Sequence, residues 1–239
     1  MFVETMQRIA TFKFPPSPCE YLPHQQSQLE CELRAELDPM EYMQRLKEGW
    51  RRFGPVVFRP DCLECRSCQS LRIPVATFRR SAGQRRTWKR NQGEMELLVG
   101  TPVASSERLE LLTKFHEHGH QVKGWPADED YDLRLKLHVT NPLPTEEWSY
   151  WIGERLVGVG YVDPLPEGLS AVYFFHDPAE HRRSLGTFNI LKMVEAARRR
   201  GLPHVYLGYY VEGCRSMEYK ARFRPNEILT AADWRSFVK

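Results

Sequence analysis

Cys62, Cys65 and Cys68 stand at two successive CxxC spacings, and thiols so placed can hold a metal ion or an iron–sulphur cluster. A tetrahedral site needs a fourth donor, for which Cys19 is the first candidate and His24 the second. In a reducing compartment such thiols do not pair as disulfides, so the alternatives are zinc, an Fe–S cluster and reduced cysteines in a loop. A second set of residues is cationic. Between Leu71 and Asn91 the chain carries Arg72, Arg79, Arg80, Arg85, Arg86, Lys89 and Arg90 without one acid, whereas the whole chain has a net charge of only +3. Arg85 with Lys89 and Arg86 with Arg90 are spaced i, i+4 around Trp88, on a helix that Ser81 would cap, and two such stripes suit a phosphate backbone. A third set, Arg182, Arg183 and Ser184, forms a turn ahead of a helix, where free N–H groups and the helix dipole favour phosphate. His116, His118 and His120 make a weaker metal pattern, because a period of two does not bring three side chains to one helical face and Gly119 is expected to break the helix.

Elements that would position these sets follow from periodicity. Leu29 to Leu37 alternates as a strand with Cys31 on its buried face. Asp38, Pro39 and Glu41 start a helix, predicted to run to about Arg52 with Tyr42, Met43, Leu46 and Trp50 inward and Gly54 at its end. Strands are predicted over Pro55–Pro60, leading into the cysteines, and over Leu71–Phe78. Ser106 caps a further helix, and Gly124 to His138 reads as a strand or a loosely helical cover. A hairpin follows, Trp148–Ile152 and Leu156–Val162 about Gly153. Val172–Phe175 is a buried strand; Phe188 to Ala197 is a helix closed by Arg198, Arg199, Arg200 and Gly201; His204–Val211 is a second strand, and Ser216 opens a short helix.

Strand, basic turn, helix and strand make a βαβ unit that resembles the core of the acetyltransferase (GNAT) superfold. There the turn holds a pyrophosphate and an acceptor amine enters between two splayed strands. No apolar run reaches 18 residues, and the first 14 mix Glu4, Gln7, Arg8 and Lys13, so a soluble cytoplasmic protein is expected, with no membrane and no DNA among its partners.

Seven collinear stretches carry a more specific likeness: CEYLP, FRPDCLECRSCQSLRIPV, FRRSAGQRRTWKRN, LSAVYFFHDP, RRSLGTFNIL, HVYLGYYV and MEYKARFRPNEIL. Together they resemble the arginyl-tRNA-protein transferase family, and most of all its compact bacterial branch. The resemblance implies an α/β (α+β) fold of two GNAT-like halves with mixed sheets flanked by helices. Residues 1–100 would hold the cysteines and the basic run, and residues 101–239 the aminoacyl-transfer core. It further implies transfer of leucine, or alternatively arginine, from charged tRNA to the α-amine of proteins beginning with Asp or Glu, which marks them for degradation. No cofactor is needed for that chemistry, because the donor ester is already activated.

On this reading Arg79, Arg80, Arg85, Arg86, Lys89, Arg90, Arg182, Arg183 and Ser184 would meet tRNA. Asp163, Tyr209 and Tyr173 would stand nearest the attacking amine as proton acceptor or relay. Tyr219, Lys220 and Arg222 of the MEYKARF segment would recognise the acceptor's carboxylate. Two other classes use parts of the same sequence. An acetyl-CoA-dependent N-acyltransferase would need the βαβ core but not the cationic helix and thiols, and a non-catalytic RNA-binding zinc module would need those but not the crevice.

Overall fold

The computed structural model describes residues 8–127, 130–231 and 233–237, so Glu4 and Gln7 of the opening segment lie outside the described residues. In chain order the first part supplies β1 (Arg8–Lys13), the ribbon β2 (Ser17–Pro18) with β3 (Gln26–Ser27), β4 (Leu29–Arg34), α1 (Pro39–Lys47), β5 (Arg51–Phe53) and β6 (Val56–Pro60). β1, β4, β6 and β5 pair in that order as an antiparallel sheet. The start of α1 is as the sequence predicts, with the Asp38 side chain accepting from the Met40 and Glu41 amides. Its end is not. Gly49 takes a left-handed φ of +90°, the chain extends after it, and Gly54 (φ +53°) turns the β5–β6 hairpin. Trp50 is buried in phase with the helix, which disguises the break; Arg51 and Arg52, expected on the last helical turn, lie on a strand.

The remainder builds a larger sheet. Its elements are β7 (Gln69–Pro74), α2 (Ala82–Asn91), β8 (Glu96–Gly100), α3 (Ser106–Lys123), α4 (Tyr131–Val139), β9 (Glu146–Ile152), β10 (Arg155–Leu165), β11 (Gly168–His176), a 3-10 turn (Pro178–Arg183), α5 (Leu185–Arg199), β12 (His204–Tyr210), α6 (Arg215–Glu218), a second 3-10 turn (Tyr219–Arg222), β13 (Glu227–Leu229) and β14 (Trp234–Ser236). The strand order is β14-β13-β7-β12-β11-β10-β9-β8, mixed, with β11 and β12 parallel across α5. The class is therefore α+β. β7 enters this sheet between β12 and β13 because Leu71 and Ile73 are both fully buried, as a central strand requires. The two sheets part between Pro60 and Gln69, so residues 69–100, expected with the first half, are built into the larger sheet.

Side chains of α5 such as Phe188, Leu191 and Val194 cover one face of that sheet, over Leu71, Leu169 and Val205, with Trp88 of α2 beside them. On the other face Leu111, Leu112 and Leu135 of α3 and α4 meet Val159, Tyr161 and Phe175. Tyr42, Met43, Leu46, Trp50 and Val57 close the same face over Leu165 and Tyr206. Gly119 does not break α3. The Trp125 ring lies where a Cβ at that position would be, so glycine is kept for packing and the helix runs on to Lys123 before Gly124 (φ +69°) ends it. The segment before His138, ambiguous in sequence, is helix α4, capped by Asp130 on the Leu133 amide.

Candidate functional site

β11 and β12 pair over only three residues, Gly168–Ser170 against His204–Tyr206. Beyond them β11 stays with β10 to His176, while β12 stays with β7 through a register shift at Gly208. The strands therefore splay, and Ala171 to Phe174 become half-buried where Gly168 to Ser170 were buried. Gly208 has a φ of +82°, and a Cβ there would sit 3.6 Å from Lys220 Nζ and 3.9 Å from Arg51 Nε. Two cations thus adjoin one bare stretch of backbone.

Both are buried, Arg51 at 6% and Lys220 at 7% exposure. Lys220 Nζ donates to the Tyr209 carbonyl at 2.6 Å. Arg51 lies 5.9 Å from the centre of the Tyr209 ring, and among the described residues none of its three guanidinium nitrogens has a hydrogen-bond acceptor. Burial, with Arg51 second, pushes Lys220 down to about 7, and burial also lowers Arg51. A buried cation without a counter-charge costs several kcal/mol, on the order of a charged group's lost hydration, so an anion placed beside this pair would be favoured.

Asp163, expected beside the attacking amine, is not available to it. Both its oxygens are held by Arg52, through Nε at 2.7 Å and through Nη2, and Thr145 donates to one of them at 2.9 Å. Neither side chain of this ion pair is exposed at all. Tyr209 is likewise occupied: its hydroxyl donates to the Gly49 carbonyl at 2.8 Å, and burial pushes the phenol far above its ordinary range. Tyr173, on the splayed part of β11, is half-buried, with its hydroxyl 2.8 Å from His116 Nε2. Of the three residues expected to recognise a carboxylate, Lys220 alone faces Gly208; Tyr219 and Arg222 are exposed, and the Arg222 carbonyl accepts from Gln84 of α2 instead.

The basic residues form one surface. Ser81 caps α2 in a reciprocal box with Gln84, and Gln84, Thr87 and Asn91 are its buried side, leaving Arg85, Arg86, Lys89 and Arg90 exposed. Arg80 lies over the Trp88 ring at 3.6 Å, and Arg79 is exposed beside it. α2 is bound to the basic turn directly: Asn91 donates to the Arg183 carbonyl at 2.9 Å and Arg90 to the Arg182 carbonyl. Arg182 and Ser184 are exposed there, Ser184 in the left-handed region (φ +54°), while Arg183 is paired with Glu94 and Glu180. The helix and the turn, separate in sequence, therefore present adjoining cations.

Cys19, Cys62, Cys65 and Cys68 line a single cavity of about 360 Å³ together with Tyr21, Leu22, Phe58, Tyr209 and Val211. The donor set is right in kind. Among the described residues, however, no three His, Cys, Asp or Glu side chains are grouped so as to hold a metal ion, and that includes the thiols and His116, His118 and His120. As arranged the cysteines do not fit a metal centre, and no chemical step is routed through one.

Family models identify the chain in two parts. "Arginine-tRNA-protein transferase, N terminus" matches residues 17–86, and "Arginine-tRNA-protein transferase, C terminus" matches residues 107–230. The chain belongs to the arginine-tRNA-protein transferase family. Relatives agree along almost its whole length. The aspartate/glutamate leucyltransferase of Acinetobacter baumannii (strain AYE) is 36% identical over 92% of this chain and 82% of that protein. That of Nitrosococcus oceani is 36% identical over 92% of both, and that of Pseudomonas fluorescens 35% identical over 96% of this chain and 98% of the relative. Likeness to a solved structure, L-PGS from Bacillus licheniformis, has a TM-score of 0.46 at 16% identity over 71% of this chain and 58% of that one, too loose to carry an argument. This transferase is thus an aminoacyltransferase that takes its amino acid from charged tRNA and passes it to protein.

Within this transferase, Arg51, Arg52 and Gly208 are site residues that motif reading did not select, and His116 was singled out only as part of a weak metal pattern. Gly49 followed by the alternation Arg51, Arg52, Phe53 is the signal that would have moved the two arginines from helix to strand. For the basic surface the expected result is concrete. Replacing Arg85 and Arg86 together by Ala should weaken tRNA binding and lower the slope of log affinity against log salt by about 1 to 2, with peptide affinity unchanged. An unchanged slope would take α2 out of the tRNA site.

Proposed function

We propose that this transferase moves leucine from Leu-tRNA to the α-amine of proteins that begin with Asp or Glu, and that Arg51 and Lys220 read the acidic side chain at the splay. The relatives' name supports the donor and the acceptor class. One observation carries the acceptor reading: two buried cations meet at the side-chain-free Gly208, and the carboxylate that acts on Arg51, Asp163, already belongs to Arg52. An Asp or Glu side chain supplies the missing anion, and a neutral one does not.

The same charges help the chemistry. With the acceptor carboxylate seated, cations a few ångströms from its ammonium favour loss of the proton that must leave before attack. The amine nitrogen then forms the amide bond to the aminoacyl carbonyl carbon, and the ester bond to the tRNA's terminal ribose breaks, its oxygen leaving with a proton. Since the ester is already activated, holding donor and acceptor in register is most of the catalysis. The basic surface of α2 and the turn before α5 would hold the tRNA, with Arg79, Arg80, Arg85, Arg86, Lys89, Arg90, Arg182 and Ser184 as contacts. The need for charged tRNA argues for the cytoplasm, and the leucylated N-terminus would direct the acceptor to proteolysis.

Labelled Leu-tRNA, Arg-tRNA and acetyl-CoA offered separately with peptides beginning Asp, Glu or Ala test this reading. Transfer from Leu-tRNA to the Asp and Glu peptides alone is expected. Label from Arg-tRNA would make it an arginyltransferase, and label from acetyl-CoA would overturn tRNA as the donor.

A further inference from the structure

Asp163 and Tyr209 are committed elsewhere, yet the acceptor's ammonium must lose one proton. A second cluster on the same side of the sheet answers this. Tyr173 follows the last residues of β11 that pair with β12, and its hydroxyl meets His116 Nε2 at 2.8 Å. The His116 and Tyr173 rings are stacked at 6.2 Å, and Trp125 (5.9 Å) and Tyr131 (5.8 Å) hold the imidazole from the other sides. From the interior, His138 stacks on Tyr173 at 4.4 Å. His138 is 2% exposed, neither ring nitrogen has a hydrogen-bond partner among the described residues, and burial pushes it down to about 3, so it is a neutral plate that fixes the phenol.

β5 ties this cluster to the anion site. Arg51 and Phe53 are two residues apart on one face of the strand, about 7 Å along it, and β5 packs on β11. Phe53 stands edge-on to His138 at 4.8 Å, and His138 leads to Tyr173. Contacts from Arg51 along β5 to Phe53, and from Phe53 through His138 to Tyr173, thus bring the anion site and the hydroxyl to the same part of β11.

We propose that Tyr173 and His116 are the proton-accepting pair of the transfer reaction, a role that rests on the acceptor reading given above. With His116 neutral and its proton on Nδ1, Nε2 accepts from the Tyr173 hydroxyl, whose oxygen accepts from the acceptor's ammonium. As the ammonium N–H bond breaks, the proton passes to the phenol oxygen and the phenol's own proton to Nε2, leaving an imidazolium that returns it to solvent at the half-buried His116. The second amine proton leaves with the ribose oxygen, so the account balances: one amide formed, one ester broken, one proton released. Among the described residues, the other titratable or charged groups around this cluster are His176 on β11, Tyr131, Arg134 and His138 on α4, and His120 and Lys123 on α3.

Single-turnover transfer from whichever charged tRNA the wild type accepts, to an Asp-starting peptide, tests the pair between pH 6 and 9. If the wild type accepts neither Leu-tRNA nor Arg-tRNA, the proposed function has failed, and the pair with it; if it accepts one, the pair is tested alone. The wild-type rate should rise with pH through two ionisations, the acceptor amine's and that of His116. Tyr173→Phe and His116→Ala should each lose about 100-fold in rate with peptide KM nearly unchanged, and only the amine's ionisation should remain in the profile. Added imidazole should restore much of the His116→Ala rate and none of the Tyr173→Phe rate. His116→Gln keeps a hydrogen bond without basicity and guards against a folding defect, so it should be as slow as His116→Ala. A His116→Gln enzyme with wild-type rate, a profile that keeps both ionisations in the variants, or a defect confined to peptide KM would each overturn the pair.

Discussion

Arg52→Met lowers the free energy of unfolding by about 3–5 kcal/mol, the cost of leaving a fully buried carboxylate without its partner. Asp163 has no exposure and accepts from Arg52 through both oxygens, with Thr145 as its other donor. Thr145 cannot carry a full negative charge alone. Arg52 in turn donates to the Gly54 carbonyl and, at 2.8 Å, to Asn141, so its loss also loosens the β5–β6 hairpin from the loop ahead of β9. Asp163→Asn keeps the shape but strands the guanidinium, and a loss of similar size is expected. Changing both partners to apolar residues removes the stranded charge, and the double variant should recover a large part of the loss. Urea titrations of the three proteins check this; a single-variant loss below about 1 kcal/mol would mean that water reaches the pair.

Arg51→Met has the opposite signature. Its guanidinium has no acceptor to lose, so removing it leaves the protein as stable as before or more so, while kcat/KM for Asp-starting peptides falls by about 100- to 1000-fold, the worth of a charged hydrogen bond plus Coulomb attraction in a buried site. Lys220 adds a pH dependence. Its amine is held down to about 7 against an ordinary 10.5, so without ligand it is charged below about pH 7 and neutral above. A bound carboxylate favours the charged form. Peptide affinity should therefore be full below pH 7 and weaken as pH rises through it, whereas Lys220→Arg should bind with no such weakening. Stability runs the other way. Between pH 7 and 10.5 the unfolded chain holds a proton that the folded one has shed, so this group's contribution to stability rises with pH across that window, and below about 7, where both states are protonated, it no longer changes. Peptide binding and urea midpoints at several pH values check both signs.

Local signals were legible and non-local ones were not. Asp38 before Pro39, and Ser81 with Gln84 at the third position, are caps that act within one turn, and both helices begin where those residues say. The parallel β11–α5–β12 unit could be read for the same reason, since its strands are bounded by Asp177 and Gly201. Nothing local tells β7 that its neighbours will be β12 and β13, because that pairing closes loops of more than a hundred residues. Lys220 was visible through the MEYKARF stretch, but Arg222 next to it proved exposed beside α2, since a 3-10 turn sends neighbouring side chains to different sides. For Arg51 the one signal was the glycine ahead of it, Gly49. A cation that reads as part of a helix's last turn is ordinarily solvated, and the left-handed Gly49 with the strand after it turns this one inward. Asp163 misled for the converse reason: an acid before a proline reads as a turn or an exposed base, and the partner that neutralises it is 111 residues away.

The most direct test of the carboxylate site compares two peptides that differ only at the first residue, Asp against Asn, on the wild type and on Arg51→Met. Shape is conserved and charge is not. The wild type should prefer Asp by about 100-fold or more in kcat/KM, and the preference should shrink to about tenfold or less in Arg51→Met, most of the loss falling on the Asp peptide. If Arg51→Met keeps the full preference for Asp, or slows both peptides equally, Arg51 does not read the acceptor's charge and the anion site has been assigned to the wrong ligand.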